Sequence, residues 1–309
     1  MNMMELPIFF TTDDNYIPYL DVAIRSLIAN ASPNYTYRII ILNTGLSDDN
    51  MKMVMENEKE GVKIEFKDIS CEVESIKSRF KNMYHFSVTT YYRLFIASLF
   101  PEYDKAVYLD CDLVVLGDVS ELYFTDIGDN ILAACPDQYV KSTHEFFQYV
   151  ERAIGVDPLG YVNAGVLVMN LKKFRQCMIE EKLVDLMTNY DFELIDPDQA
   201  YLNYLCHGKI HHLPNGWNKV PLPTACEGKK NIVHYALYKK PWQYDDVIDG
   251  EYFWSYAKAS PFYSLIRERM ASFSDSDRMA KAAAAGEILS HAVKIVGLEN
   301  NFRKKLCAI

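Results

Sequence analysis

Apolar runs and amphipathic segments alternate from Leu6 to Ile69. The runs "LPIFF", "YRIIILN" and "VKIEFKDI" are typical of buried strands. Between them, "YLDVAIRSLIAN" and "SDDNMKMVMENEKE" have helical character, and Ser47 is expected to cap the second helix. Strands that alternate with helices at this pitch form parallel sheets with right-handed crossovers. The sequence therefore predicts an α/β fold with a mainly parallel sheet.

The rest of the chain continues this pattern. We expect helices in "TTYYRLFIASLF", "MIEEKLVDLMTNY" and "DPDQAYLNYLCHG". We expect strands in "KAVYLDCDLVV", "NILAACPD", "YVNAGVLVMNL", "KIHHLP" and "NIVHYAL". A chain of 309 residues suffices for one large α/β domain, or for such a domain with an appendage.

Charge and cysteine content restrict the partners and the compartment. The chain carries 32 Lys and Arg against 42 Asp and Glu, a net charge of -10, which argues against nucleic acid as the main partner. Its seven cysteines are odd in number and form no C-x-x-C pair, which favours a reduced, cytoplasmic protein. The start "MNMMELPIFF" has no basic region or cleavage site, so we expect no signal peptide. No apolar run approaches the ~20 residues of a spanning helix.

Asp110 and Asp112 interrupt an apolar run around Cys111. A buried carboxylate is costly unless a cation meets it. In an open parallel sheet, ligands bind at the carboxyl ends of the strands, and residues i and i+2 of a strand point to the same side. We therefore interpret the pair, placed late in its strand, as a clamp for Mg²⁺ or Mn²⁺ on a diphosphate. A solvated strand end is the simpler explanation that remains open.

Six motifs in order make the chain similar to a known family. They are "FFTTDDNYIPYLDVAIRSL", "TTYYRL", "YLDCDLVVLGDVSELY", "VNAGVLVMNLKKF", "DPDQAYLN" and "IVHYALYKKPW". They resemble family 8 glycosyltransferases, which include glycogenin and bacterial lipopolysaccharide galactosyl- and glucosyltransferases, from about Leu6 to Trp242. The resemblance implies a GT-A domain, which is Rossmann-like and binds a nucleotide sugar. It also implies transfer of glucose or galactose, with retention of configuration, from a UDP-sugar to a saccharide or glycolipid acceptor. The expected metal ion is Mn²⁺, and Mg²⁺ is the alternative.

The resemblance also assigns roles to residues. Asp110, Asp112 and His234 match the metal ligands, and Lys240 matches the lysine that binds the leaving diphosphate. A lone histidine after a strand and a lysine beside Lys239 also have structural or surface explanations. The remaining donor-binding residues implied by the resemblance are Thr11, Asp13 and Asn15 for the uridine, Cys111 between the two carboxylates, and Arg93, Asp137, Asn163, Ala164, Asp198 and Gln199 for the sugar.

Some of these residues also have a purely structural explanation. Asp13 and Asp14 could cap the next helix, and Arg93 could pair with a core carboxylate. For catalysis, Gln199 is a poor nucleophile, so we expect attack on the same face from which UDP departs. Asp198 would then orient sugar hydroxyls, and both residues are the predicted catalytic pair.

One position departs from the family pattern. The family usually has His-x-x-Gly-x-x-Lys-Pro-Trp, whereas this chain has Leu237 in place of the glycine. Leucine is disfavoured at positive φ, so we expect the loop to take another path if the glycine conformation was special. A competing hypothesis follows, in which the chain binds a nucleotide sugar but transfers it weakly or not at all. A metal phosphohydrolase is a third hypothesis, which gives no role to "TTDDNY" or "NAGVLVMN".

The C-terminal part differs in composition. We divide the chain into a glycosyltransferase domain, residues 1–258, and a helical basic extension, residues 259–309. From Arg278 onward six Lys and Arg oppose two Glu, which gives +4. Such a helix can lie on an anionic membrane surface at the inner face, or it can dock on the domain. The segment "GWNKVPLPTACEGKKN" and the faces of Trp217, Trp242 and Trp254 are candidates for the acceptor site, although buried packing explains tryptophans equally well.

Overall fold

The structure is a computed structural model that describes residues 3–77 and 88–306, with the side chains of residues 75–77 and 88–90 outside the description. Cys307 therefore lies outside the described residues. The other six cysteines have free thiols. Within the described ranges, no helix combines the length and the apolar character needed to cross a membrane.

The strands follow the sequence prediction closely. They are β1 Glu5–Thr11, β2 Thr36–Asn43, β3 Val62–Asp68, β4 Ala106–Leu109, β5 Leu113–Val115, β6 Leu132–Pro136, β7 Val162–Met169, β8 Ile210–His212 and β9 Ile232–His234. Every strand predicted from an apolar run is present, and the predicted strand around the aspartates is divided into β4 and β5.

The helices alternate with these strands. The α-helices described are α1 Ile17–Ala29, α2 Asp48–Met55, α3 Ser70–Lys77, α4 Ile96–Leu99, α5 Val119–Tyr123, α6 Gln138–Ser142, α7 His144–Tyr149, α8 Leu171–Gln176, α9 Ile179–Asn189, α10 Pro197–Leu205, α11 Gly250–Ala257, α12 Tyr263–Ser272, α13 Asp275–Gly297 and α14 Phe302–Leu306. Shorter helical segments are the 3₁₀ helices Val88–Phe95 and Asn215–Trp217 and the π-helical turn Val150–Ile154. The predicted helix "TTYYRLFIASLF" is thus mostly 3₁₀.

Seven strands form the main sheet in the order β3-β2-β1-β4-β7-β6-β8. The pairs β1–β2, β2–β3, β1–β4 and β6–β8 are parallel. Strand β7 is antiparallel to both neighbours. The remaining strands, β5 and β9, form a separate two-stranded antiparallel sheet. The predicted mainly parallel α/β fold is confirmed.

The main sheet is covered on both faces, which explains its continuously apolar strands. Along β1, Phe9 points into one core, whereas Ile8 and Phe10 point into the other. Helix α1 packs in the second core, and helices α9 and α10 pack in the first. Alternate residues of one strand thereby bury both sides of the sheet.

The C-terminal helices dock on the first core. Ala292 and Ile295 of α13 and Phe302 of α14 are fully buried there, and Phe302 stacks on Phe192 with ring centroids 4.3 Å apart. The boundary at residue 258 follows the end of α11 and remains a prediction.

Candidate active site

The break between β4 and β5 carries the two aspartates, which corrects their predicted place within one strand. Strand β4 ends at Leu109, and the Asp110 amide still donates to the carbonyl of Gly165 in β7 (2.8 Å). The chain then leaves the main sheet, and β5 pairs with β9 so that Leu113 lies opposite His234. The change of partner ends the strand, and it brings the distant histidine beside the aspartates.

Three side chains converge at this break. Nε2 of His234 lies 3.1 Å from Oδ1 of Asp112 and 3.7 Å from Oδ2 of Asp110. One ligand atom from each residue lies within 4.8 Å of the other two. Two carboxylate oxygens and an imidazole nitrogen are a donor set that suits Mn²⁺. The residues present therefore fit the ion that the family resemblance implies.

Gly165 makes the close approach feasible, and the sequence reading missed it as a site residue. A Cβ at this position would lie 2.7 Å from Oδ2 of Asp110 and would overlap Cε1 of His234. Any side chain there would displace one of the two ligands. The glycine of "NAGV" was the available signal.

Asp112 is held ionised by its neighbours. Burial alone would raise its pKa, but the positive charge of Lys240 and the interaction with His234 outweigh burial and hold the pKa far below the usual value. Nζ of Lys240 donates to Oδ2 of Asp112 and to the carbonyl of Tyr235. The predicted diphosphate lysine is therefore buried beside the candidate metal ligands and is not a surface lysine.

Arg93 links the predicted metal and sugar residues. Its guanidinium lies 3.1 Å from Oδ1 of Asp110 and 3.2 Å from Oδ2 of Asp198. It also donates to the carbonyl of Ala164 (2.6 Å) and lies over the Tyr108 ring. Burial raises the pKa of Asp198, and the positive charge of Arg93 offsets part of that rise in pKa. Arg93 thus pairs with buried or partly buried carboxylates, as its structural alternative expected, and its role in sugar binding remains a prediction.

A network of amides and carboxylates joins the other predicted sugar residues. Asn163 Nδ2 and Gln199 Nε2 each donate to Oδ2 of Asp137 at 3.1 Å. Oε1 of Gln199 accepts from the Ala164 amide (3.0 Å). Both ends of the Gln199 amide are thus held by the protein.

Asp196 belongs to this network and was missed by the sequence reading. Its carboxylate accepts from Tyr149 (2.9 Å), Tyr161 (2.6 Å) and Gln199 (3.2 Å). Burial raises the pKa of Asp196 to about 7, although the two tyrosine hydrogen bonds oppose the rise. Its place as the first residue of the motif "DPDQAYLN" was the available signal.

The predicted uridine residues lie at the carboxyl end of β1. Asp13 and Asn15 are exposed, whereas Thr11 is buried and its hydroxyl lies 2.9 Å from the hydroxyl of Tyr108, which donates to Asp110. The Cys111 thiol is also buried and donates to the Thr11 carbonyl (3.0 Å). The loop is therefore joined to the predicted metal carboxylates through these buried contacts.

The alternative in which Asp13 and Asp14 cap the next helix is wrong, because Tyr16 occupies the N-cap position of α1 and the helix has no side-chain cap bond. Oδ1 of Asp13 accepts from the Tyr16 amide in the turn before the helix (3.0 Å). Asp14 instead accepts from the amide and hydroxyl of Ser47. This corrects the expected capping by Ser47, which occupies the N-cap position of α2 without a side-chain cap bond. The hydroxyl is already committed to Asp14.

Leu237 adopts a φ of 61°, the left-handed conformation that favours glycine. The expectation that leucine forces the loop onto another path is therefore wrong. The Leu237 side chain is 43% exposed. The tryptophans mostly favour the packing explanation, since Trp217 and Trp242 are buried and Trp242 stacks on Tyr19 at 3.8 Å.

Comparison with known proteins agrees with this geometry. The sequence model described as "Glycosyl transferase family 8" matches residues 7–246. This chain belongs to glycosyltransferase family 8. Lipopolysaccharide 1,2-glucosyltransferase of Escherichia coli strain K12 is 25% identical over 298 residues, which cover 90% of this chain and 82% of the relative.

Solved structures of glycosyltransferases share the fold. Galactosyltransferase LgtC, solved in complex with donor and acceptor sugar analogs, aligns with a TM-score of 0.67 at 29% identity and covers 83% of this chain and 96% of LgtC. The bifunctional glycosyltransferase WbbM aligns with a TM-score of 0.75 at 25% identity over 87% of this chain. The chain spans 52% of the length of WbbM. The predicted family and the GT-A fold are confirmed, whereas the role of each site residue remains a prediction.

Proposed function

We propose that this family 8 glycosyltransferase moves glucose or galactose from a UDP-sugar to a saccharide or glycolipid acceptor, with retention of configuration and with Mn²⁺. The observation that carries the proposal is the convergence of Asp110, Asp112 and His234 within 4.8 Å, with Lys240 buried against Asp112. Two acidic side chains, an imidazole and a lysine are the groups that a nucleoside diphosphate and its divalent ion require.

In this proposal the chain's own residues bind the donor and stabilise its leaving group. Asp110, Asp112 and His234 hold Mn²⁺, which when bound supplies positive charge at the diphosphate. Lys240 moves its ammonium from Asp112 to the β-phosphate and stabilises the departing UDP. The loop with Asp13 and Asn15 contacts the uridine.

The sugar lies against Asp137, Asn163, Ala164, Asp198 and Gln199. The amide of Gln199 is bound at both ends by Ala164, Asp137 and Asp196, which supports a positioning role and not attack on the anomeric carbon. The bond from the anomeric carbon to the phosphate oxygen breaks while the acceptor hydroxyl attacks from the same face. The departing phosphate oxygen takes the hydroxyl proton.

The acceptor and the location are proposed from relatives and from charge. One relative is named a lipopolysaccharide glucosyltransferase, so a lipopolysaccharide acceptor is the first candidate. We propose that the protein works in the cytoplasm and contacts the inner membrane face through Arg303, Lys304 and Lys305, all three of which are exposed.

The competing hypothesis of a weakened nucleotide-sugar binder rested on Leu237. The glycine-like φ at Leu237 supports transfer, because the loop keeps the conformation that the family glycine would favour.

A panel of UDP-sugars incubated with Mn²⁺, with and without EDTA, tests the proposal by release of free UDP. We expect slow hydrolysis of UDP-glucose or UDP-galactose that EDTA abolishes. Absence of release from every donor, with UDP binding intact, would favour the competing hypothesis.

A further inference from the structure

We propose that Asn218 is a positioning residue for the metal site. It accepts a hydrogen bond from Nδ1 of His234, so that Nδ1 keeps its proton and Nε2, which faces the two aspartates, is the nitrogen available to a metal ion. The inference rests on the proposed metal site, and it concerns a residue outside every motif that identified the family.

Asn218 is buried in a dense set of contacts. It follows the 3₁₀ helix Asn215–Trp217 and is 1% exposed. Its Oδ1 lies 2.9 Å from Nδ1 of His234, and its Nδ2 lies 2.9 Å from Oδ1 of Asn163. Its backbone carbonyl accepts from Nε2 of Gln138 (2.8 Å). Both ends of its side-chain amide are therefore engaged.

The direction of these hydrogen bonds follows from one backbone amide. The Gly165 N–H can only donate, and it lies 3.0 Å from the side chain of Asn163, so the Asn163 atom facing it is the oxygen. Nδ2 of Asn163 then faces the carboxylate of Asp137 at 3.1 Å, which accepts. The Asn218 atom that meets the Asn163 oxygen has to be the NH₂ group.

The same logic reaches the histidine. Since the NH₂ group of Asn218 faces Asn163, its oxygen faces Nδ1 of His234, and that nitrogen has to donate. The other nitrogen, Nε2, lies 3.1 Å from Oδ1 of Asp112 and 3.7 Å from Oδ2 of Asp110. Without a metal ion Nε2 can donate to Asp112, and a bound cation would take the place of that proton and receive the Nε2 lone pair. Because Asn218 holds the proton on Nδ1, Nε2 is the nitrogen that becomes available to the ion.

Removal of this hydrogen bond frees the imidazole to change tautomer and to rotate. Partners that orient a metal-bound histidine are typically worth 10–100-fold in metal affinity. We therefore expect Asn218→Ala to weaken Mn²⁺ binding by roughly 10–100-fold. Asn218→Asp keeps an acceptor for Nδ1 but turns its second oxygen toward the oxygen of Asn163, so we expect it to restore only part of the affinity.

The experiment uses the full chain labelled with ¹⁵N-histidine. Long-range ¹H–¹⁵N correlation spectra without metal report which His234 nitrogen carries the proton, and the signal is assigned by its loss in His234→Gln. Electron paramagnetic resonance of free Mn²⁺ gives the dissociation constant. Asn203→Ala is the matched control, because Asn203 is 2% exposed and bonds both backbone groups of Val162 instead of a metal ligand.

We expect the proton on Nδ1 in the wild type, Asn218→Asp and Asn203→Ala, and a mixture of tautomers with weaker Mn²⁺ binding in Asn218→Ala. A wild type in which Nδ1 of His234 carries no proton overturns the inference, and so does an Asn218→Ala protein with unchanged Nδ1 protonation and unchanged Mn²⁺ affinity. A wild type that binds no Mn²⁺ contradicts the proposed function instead, while the tautomer of His234 still tests the role of Asn218.

Discussion

Nε of Arg93 lies 3.2 Å from the Asp198 carboxylate, and the same guanidinium lies 3.1 Å from Asp110. One buried cation thus connects the predicted sugar-orienting carboxylate with a predicted metal ligand. The charged arginine offsets the cost of burying Asp198 and also pairs with the partly exposed Asp110.

Loss of the Asp198 carboxylate should separate catalysis from nucleotide binding. We expect Asp198→Ala and the isosteric Asp198→Asn to lower the transfer rate by roughly 10²–10³-fold, since a contact to the sugar in the transition state is lost. The dissociation constant of UDP with Mn²⁺ should stay within about threefold, because Arg93 still neutralises Asp110. Calorimetry and a UDP-release assay measure the two quantities, with the exposed Glu181→Ala as control. Loss of UDP binding in both Asp198 variants would show that the assigned role is wrong.

Replacement of Leu237 by glycine should stabilise the protein slightly. A left-handed conformation costs a non-glycine residue about 1–2 kcal/mol, and glycine loses about 0.5–1 kcal/mol through chain entropy. We expect Leu237→Gly to raise the free energy of unfolding in urea by about 0.5–1 kcal/mol. Leu237→Ala keeps the Cβ and should give no gain. UDP affinity should not change, because the loop already has the glycine-like φ. A Leu237→Gly protein that is less stable than Leu237→Ala would contradict this account.

Asp196 should make stability depend on pH. Its pKa of about 7 in the folded protein lies above the usual 3.8, so the folded state binds more protons than the unfolded state between these values. Stability should therefore fall as pH rises from about 4 to about 7 and stay lower above that range. The upper limit of this effect is about 4 kcal/mol.

Asp196→Asn removes the titrating group, while Tyr149 and Tyr161 keep a side-chain partner because phenol hydroxyls both donate and accept. Urea unfolding from pH 5 to pH 8 should show a smaller decline in this variant than in the wild type. Equal slopes in the two proteins would mean that Asp196 is ionised throughout this range.

The C-terminal basic residues test the membrane proposal. Replacement of Arg303, Lys304 and Lys305 by glutamine should release the protein from vesicles that contain anionic lipid, since each basic residue near such a surface contributes about 1 kcal/mol. A variant with Lys172, Lys182 and Lys258 changed to glutamine has the same net charge and should stay bound, since those exposed lysines lie elsewhere. Co-sedimentation measures both proteins. Equal binding of the two variants would argue against a specific role for the tail.

The sequence predicted most of the fold because the buried strands carry their own signal. Runs such as Ile39–Leu42 are apolar on both faces, and helix α1 has helical spacing. The break after Leu109 could not be predicted in this way. It depends on contacts with Gly165 and with β9, which lie far away in the chain.

The residues of the candidate site could likewise be predicted only in part from the sequence. Asp110, Asp112 and His234 belong to recognisable motifs, so their residue types and order pointed to a metal. Asp196 opens the motif "DPDQAYLN" but was assigned no role, and Asn218 lies outside the six motifs. The contacts of both residues follow from partners that only the folded chain brings near. Leu237 was misjudged because its residue type argues against the φ that the surrounding loop imposes.

The affinity for UDP with and without Mn²⁺ tests the central claim most directly. Calorimetry should show that wild-type protein binds UDP at least about tenfold more tightly in Mn²⁺ than in EDTA, because the ion joins the diphosphate to the three ligands. His234→Ala should remove this difference, whereas His291→Ala, which changes a surface histidine paired with Glu193, should preserve it. Equal UDP binding in Mn²⁺ and EDTA, or full Mn²⁺ dependence in His234→Ala, would contradict the account.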